Sequence, residues 1–206
     1  MKLTLMTLDQ FSVELGSSSP APGGGSASAL AGVLSAALSG MVANLTVNKK
    51  GYENVFDEMR SVADQAEGIR RELSSLIDQD AESFNVFLST MKLPKQTQEQ
   101  KLLRAEKMQS ALKSCCEIPM QVAQKSFDIF SLAEVVLCHG NSNAVTDALV
   151  SAMLARTAVL GALLNVEVNL LGIKDETYVS QMKVKIELLR SQAIDFERRI
   201  LMKQSF

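Results

Sequence analysis

A zinc site built from nitrogen and sulfur ligands is close to excluded by what this chain of 206 residues lacks, because it holds one histidine, His139, and three cysteines. Cys115 and Cys116 are adjacent and Cys138 stands alone, a spacing that suits neither a metal cage nor a disulfide framework and fits a reducing compartment. An excess of positive charge is also missing: 21 Lys and Arg face 23 Asp and Glu, which removes the electrostatic footprint of a nucleic-acid binder. The first residues, Met1-Lys2-Leu3-Thr4-Leu5-Met6, lack the long apolar region and small-residue cleavage site of a secretory signal, so a cytoplasmic location is expected. Strand periodicity, fixed-length repeats and low-complexity linkers are absent as well. The expectation is an all-α, single-domain bundle of long antiparallel helices over residues 1–206.

What the chain does have begins with Ser19-Pro20-Ala21-Pro22-Gly23-Gly24-Gly25-Ser26, a proline and glycine turn that opens an uncharged run extending to Asn48. Glycines allow close backbone approach, and a helix start offers free N–H groups and a positive dipole end, a place for an anion or an electron-rich oxygen. It is neither a P-loop nor a dinucleotide turn, since no Gly-Lys-Ser/Thr ending and no preceding strand accompany it. The run is long enough to raise a transmembrane reading. Its interruption by Ser28, Gly32, Ser35, Ser39, Gly40 and Asn44, without aromatic anchors, points instead to a helix packed against others, not a membrane span. Leu30, Leu34, Ala37, Met41, Asn44 and Asn48 share one face, which predicts that two amides end an apolar, buried stripe.

A helix from about Tyr52 to Met91 carries the most informative pattern. Ile69, Leu73, Leu76, Asp80, Phe84, Phe87 and Met91 recur at steps of three and four, so Asp80 interrupts an apolar seam, while Asp78 and Glu82 lie roughly 200° away and face solvent. A carboxylate on a core-facing stripe is either part of a buried pair or a general acid or base with a raised pKa. Thr97-Gln98-Glu99-Gln100 reads as a capping box, and Pro119 as a kink or a new helix start. Gly140 reads as the residue ending that helix, with His139 as a capping or dipole-facing group. In the next helix Asp147, Ser151, Leu154, Ala158, Ala162 and Asn165 share a side, with Asn169 roughly 40° off, predicting a small-residue face with room for a flat ligand. A last amphipathic helix starts at Asp175-Glu176 and runs through Tyr178, Met182, Ile186 and Leu189.

These pieces together resemble the cyclodeaminase domain of formiminotransferase-cyclodeaminase and its stand-alone bacterial relatives, which include methenyltetrahydrofolate cyclohydrolases. The resemblance rests on the Ser19–Ser26 turn, Met41-Val42-Ala43-Asn44-Leu45-Thr46, Lys49-Lys50 with Tyr52, Asp80-Ala81 with Phe84, Leu93-Pro94-Lys95, Gly140-Asn141 with Asn143 and Asp147, and Asn165-Val166 with Asn169. It departs at Ala21, where threonine is common in the family, at Asn48, where glycine often precedes the paired lysines, and at Thr146, where serine is common. The resemblance implies a tetrahydrofolate one-carbon enzyme: a formiminotetrahydrofolate cyclodeaminase, or alternatively a 5,10-methenyltetrahydrofolate cyclohydrolase or a non-catalytic folate-binding module. It implies Asp80 as the proton-transferring carboxyl, and Asp147 as a second one or as the group binding the amidine edge of the pterin. It implies Lys49, Lys50 and Lys95 for the folate carboxylates, Asn44, Asn141, Asn143, Asn165 and Asn169 for pterin or amide groups, and Gly23, Gly24, Gly25 and Ser26 for close approach to the ligand. No metal or cofactor beyond the folate substrate is expected, and a homodimer is.

Overall fold

The computed structural model describes residues 2–203. Six helices account for most of them: α1 (Leu8–Leu15), α2 (Gly24–Thr46), α3 (Phe56–Met91), α4 (Gln98–His139), α5 (Val145–Leu170) and α6 (Glu176–Leu201), and no strand occurs among the described residues. Helix starts follow local chemistry. Thr7 with Gln10 and Thr97 with Gln100 form reciprocal capping boxes, and Asp175 caps α6 through the Tyr178 N–H.

Helices α2 to α5 form an up-and-down bundle in which consecutive helices, and α2 with α5, run antiparallel. Ser26 meets Asp80 while Gly40 meets Ala66, so α2 opposes α3. The ion pairs Glu58–His139 and Glu72–Lys125 do the same for α3 and α4. Helix α2 lies between α3, α4 and α5, and its buried side is small: Ala29, Ala36 and Ala43 with Ser26, Ser28, Ser35 and Ser39. Small side chains let the backbones approach, and each buried hydroxyl of this set finds an acceptor. The Ser35 hydroxyl donates to Ser151 O and the Ser151 hydroxyl to Ser35 O, both at 2.8 Å, so α2 and α5 are clasped reciprocally. Both α2 and the Ser142–Leu170 stretch are long and apolar enough to cross a membrane by composition, and half of each such window is buried inside this bundle. Helix α6 packs on α4 and α5, where Phe127, Phe130 and Phe196 form an aromatic cluster with centroids 5.3–5.8 Å apart.

Several sequence-based expectations are corrected. The face of α2 bearing Leu34, Ala37, Met41 and Asn44 points outward, Asn44 is exposed, and Asn48 lies past the end of the helix; the core face is the small-residue one, because close packing between helices selects small residues over the larger hydrophobic ones. The small-residue face of α5 leaves no room for a flat ligand, since Ser151, Ala158 and Ala162 are buried, and Ser151 bonds to α2. Pro119 does not start a new helix: α4 runs through it as one helix of 42 residues. Gly140 has φ −80°, so it is not a left-handed cap; a Cβ there would lie 2.3 Å from Val136 O and 3.0 Å from Val42 Cγ1. Asp78 does not simply face solvent: it accepts from the Leu3 N–H at 2.6 Å and the Thr4 hydroxyl at 2.7 Å, which anchors the N-terminal segment to α3.

Candidate functional site

The start of α2, the second half of α3, the first half of α4 and the end of α5 converge on a cavity of about 160 Å³. Asp80 is one of the side chains that line it. It projects from α3 onto the first turn of α2, so close to Gly25 that a Cβ at that position would lie 2.2 Å from Oδ1. The Ser26 hydroxyl donates to Oδ2 at 2.9 Å. The free end of α2 therefore already holds a negative group from the chain itself, and Asp80 occupies the place expected for an external anion. Burial pushes the Asp80 carboxyl above the ordinary carboxylate range, against the lowering pull of the Ser26 hydroxyl and backbone N–H. A carboxyl of raised proton affinity in a small cavity suits general acid–base work.

Two amides face Asp80 across the cavity from α5. Asn165 lies against Gly24, and its Nδ2 donates to Gly161 O at 2.8 Å. Asn169 Nδ2 donates to Cys115 O at 2.7 Å. That carbonyl is available because Pro119, four residues on, has no N–H to give it. The proline read from sequence as a kink or helix start thus positions a cavity side chain, and the i to i+4 relation between Cys115 and Pro119 is the signal for it. Cys115 and Phe84 also line the cavity. Burial pushes the Cys115 thiol up.

The expected site residues fall into separate groups. Gly23, Gly24, Gly25, Asp80, Asn165 and Asn169 line the one cavity. Ser26 belongs beneath it and not on its wall: its side chain is fully buried and committed to Asp80 and Ile77 O, so it holds the carboxyl and has no face for a ligand. Lys49, Asn141 and Asn143 assemble elsewhere. Lys49 Nζ donates to Asn141 Oδ1, the Asn143 N–H donates to the same oxygen, and the Asn141 N–H donates to Thr46 Oγ1 at 2.8 Å. Asp147 lies on the first turn of α5 at that end, with no side-chain hydrogen bond or ion pair among the described residues. The rise of α5 puts it about 27 Å along the helix from Asn165, so one chain does not bring Asp147 to Asp80. Asn44, Lys50 and Lys95 are exposed and outside the cavity. No three His, Cys, Asp or Glu side chains cluster as metal ligands among the described residues.

A larger cavity, about 740 Å³, runs between the end of α5 and α6. Its acids Glu167 and Glu187 are ion-paired to Arg190, and no expected site residue lines it.

Residues 7–188 match the family described as formiminotransferase-cyclodeaminase. Methenyltetrahydrofolate cyclohydrolase of Methylorubrum extorquens is 38% identical over 94% of this chain and 93% of its own length. Formimidoyltransferase-cyclodeaminase of Sus scrofa is 35% identical over 90% of this chain but only 34% of its own, so this chain spans about a third of that protein. The crystal structure of formiminotetrahydrofolate cyclodeaminase from Thermotoga maritima superposes with a TM-score of 0.86 at 30% identity, covering 97% of this chain and 96% of that one.

Proposed function

Because the chain belongs to the formiminotransferase-cyclodeaminase family, we propose that the Asp80 cavity carries out one-carbon chemistry on tetrahydrofolate, as a formiminotetrahydrofolate cyclodeaminase. It is an enzyme of tetrahydrofolate derivatives, and the transferase half-reaction of the fused relatives is not assigned to it. The carrying observation is the Asp80 carboxyl held against Gly25 and Ser26 inside a cavity, with its proton affinity raised.

The folate N10 attacks the carbon of the protonated formimino group on N5. As the N10–C bond forms, the N10 proton passes to the Asp80 carboxylate and the C=N pair settles on the formimino nitrogen. Asp80 then returns that proton to the nitrogen, the C–N bond breaks with its pair, ammonia leaves, and the 5,10-methenyl cation remains. The carboxylate ends as it began, and a positioned acid–base group of this kind contributes ~10²–10⁴-fold in rate.

A second reading, 5,10-methenyltetrahydrofolate cyclohydrolase, is favoured by the similarity to the Methylorubrum extorquens protein along nearly its full length. There Asp80 takes a proton from water as its oxygen bonds to the methenyl carbon, and delivers it to N5 as the C–N5 bond breaks. The hydroxyl proton is released and 10-formyltetrahydrofolate forms. Following the methenyl chromophore with both substrates separates the readings: gain from formiminotetrahydrofolate without loss of methenyltetrahydrofolate beyond its spontaneous rate favours the deaminase. Asp80→Asn should fold and bind folate but lose turnover with either substrate; retained turnover removes Asp80 from the mechanism.

The functional unit we propose is a homodimer. A 160 Å³ cavity is small beside the ~300–1,000 Å³ of sites that enclose ligands of this size, so it takes the reacting end and leaves the rest of the folate outside. Outward stripes of Leu34, Met41 and Leu45 on α2 and of Val150, Met153, Leu164 and Val168 on α5 are exposed and apolar, as a two-fold interface requires. Pairing across these stripes with opposed helix directions brings the Lys49, Asn141, Asn143 and Asp147 end of one copy toward the cavity of the other. Light scattering reads the mass directly, and Val168→Asp is expected to give a monomer.

A further inference from the structure

Apart from the Cys115 thiol and the second N–H of each amide, the hydrogen-bonding side chains on the Asp80 cavity wall present acceptors. No Lys, Arg or His lines it. The Asn165 and Asn169 amides each aim Nδ2 at a backbone carbonyl, Gly161 O and Cys115 O, and only an amide nitrogen can face a carbonyl, so the oxygen assignment is forced. Both Oδ1 atoms are left without partners among the described residues. The Ser83 hydroxyl is bonded to Asp80 O at 2.9 Å, which leaves only its lone pairs outward. With the Asp80 carboxylate, three oxygens thus surround a space large enough for a reacting one-carbon unit and the molecule it exchanges.

Resting on the folate reading above, we infer that Asn165 and Asn169 with Asp80 form a subsite for a small, proton-rich exchange partner, ammonia or its amidinium precursor on one side of the chemistry and water on the other. Ammonia, an amidinium NH₂ and water share one requirement, several N–H or O–H donors needing acceptors, and one acceptor-lined subsite meets it for all of them. The two amides hold the group that leaves or attacks while Asp80 moves the proton. Gly161 O fixes Asn165, and the carbonyl that Pro119 frees fixes Asn169, so Pro119 is a positioning residue for this subsite.

Saturation-transfer NMR on the folate-free full chain tests this with formamidinium, a soluble copy of the formimino head, against tetramethylammonium, which has the same charge and no N–H. Formamidinium should bind, tetramethylammonium should not, and Asn165→Leu, Asn169→Leu and Asp80→Asn should each abolish the signal. In turnover, the two Asn→Leu variants should lose about 3–10-fold in kcat each, the worth of one neutral hydrogen bond, with an unchanged dissociation constant for tetrahydrofolate. Pro119→Ala, which supplies a competing N–H to Cys115 O, should lower kcat in the same direction while raising thermal stability. Equal signals from both cations, no signal from formamidinium, or a tetrahydrofolate affinity that falls in step with kcat would overturn the assignment, the last by moving the amides onto the pterin. A wild-type chain that takes formamidinium selectively but neither binds nor turns over folate would sink the folate reading and leave the subsite standing.

Discussion

A methyl group at position 25 is the smallest change that probes the Asp80 socket. A Cβ there would lie 2.2 Å from Asp80 Oδ1 and 2.6 Å from both Cγ and Oδ2, whereas unstrained contacts of this kind need about 3.5 Å. The backbone of α2 is packed between α3, α4 and α5, so the carboxylate end of Asp80 has to move instead. In moving it gives up the Ser26 hydroxyl, a hydrogen bond to a charged group worth about 1.5–3 kcal/mol. Alanine in place of a helical glycine returns about 0.5–1 kcal/mol. Gly25→Ala should therefore fold with a net loss of about 0.5–2.5 kcal/mol. Its kcat should fall by ~10²–10⁴, as for removal of a general base. The neighbouring glycines are internal controls. A Cβ on Gly24 comes no nearer than 3.3 Å, to Asn165 Nδ2, and one on Gly23 meets nothing within 4 Å. Gly24→Ala should thus cost less than about tenfold in kcat/KM and Gly23→Ala almost nothing. Denaturant titrations together with methenyl absorbance kinetics for each alanine variant read both quantities. Full activity in Gly25→Ala, or equal losses at all three positions, would refute the socket.

Asp80 must be ionised to accept a proton, so activity should fall as pH drops through its raised pKa, and Ser26→Ala, which removes a lowering contact, should move that limb of the kcat profile to higher pH. Because the native pKa lies above the unfolded one, the folded state binds more protons between the two values; Asp80's contribution to stability falls as pH rises through that window and stays low at neutral pH, a dependence that Asp80→Asn should erase from urea titrations. Asn48 has φ 64°, the left-handed region that favours glycine; Asn48→Ala should cost about 1–2 kcal/mol and Asn48→Gly almost nothing, measured by equilibrium unfolding. Ser151→Ala leaves the Ser39 hydroxyl buried without its partner at 2.8 Å, for an expected loss of about 1–3 kcal/mol in the same assay.

By itself the order of residues determined the helices, the capping box at Thr97, and the anomaly of Asp80 on an apolar seam, because helical periodicity and capping are settled within a few residues of chain. It also singled out the glycine turn as a place for an anion, though not that the anion at the α2 start is the chain's own carboxylate. The core face of α2 is not the one large apolar residues mark, since the rule that such residues go inside yields where three helices press on one and mostly Ala, Ser and Gly fit. Only tertiary packing decided that Asp80, Asn165 and Asn169 share a cavity while Asp147, Lys49 and Asn141 gather at the far end of the bundle. Helices α2 and α5 are rigid rods running in opposite directions, so residues that sit on one side of a helix in sequence can be held a helix length apart, and residues distant in sequence can be forced into contact.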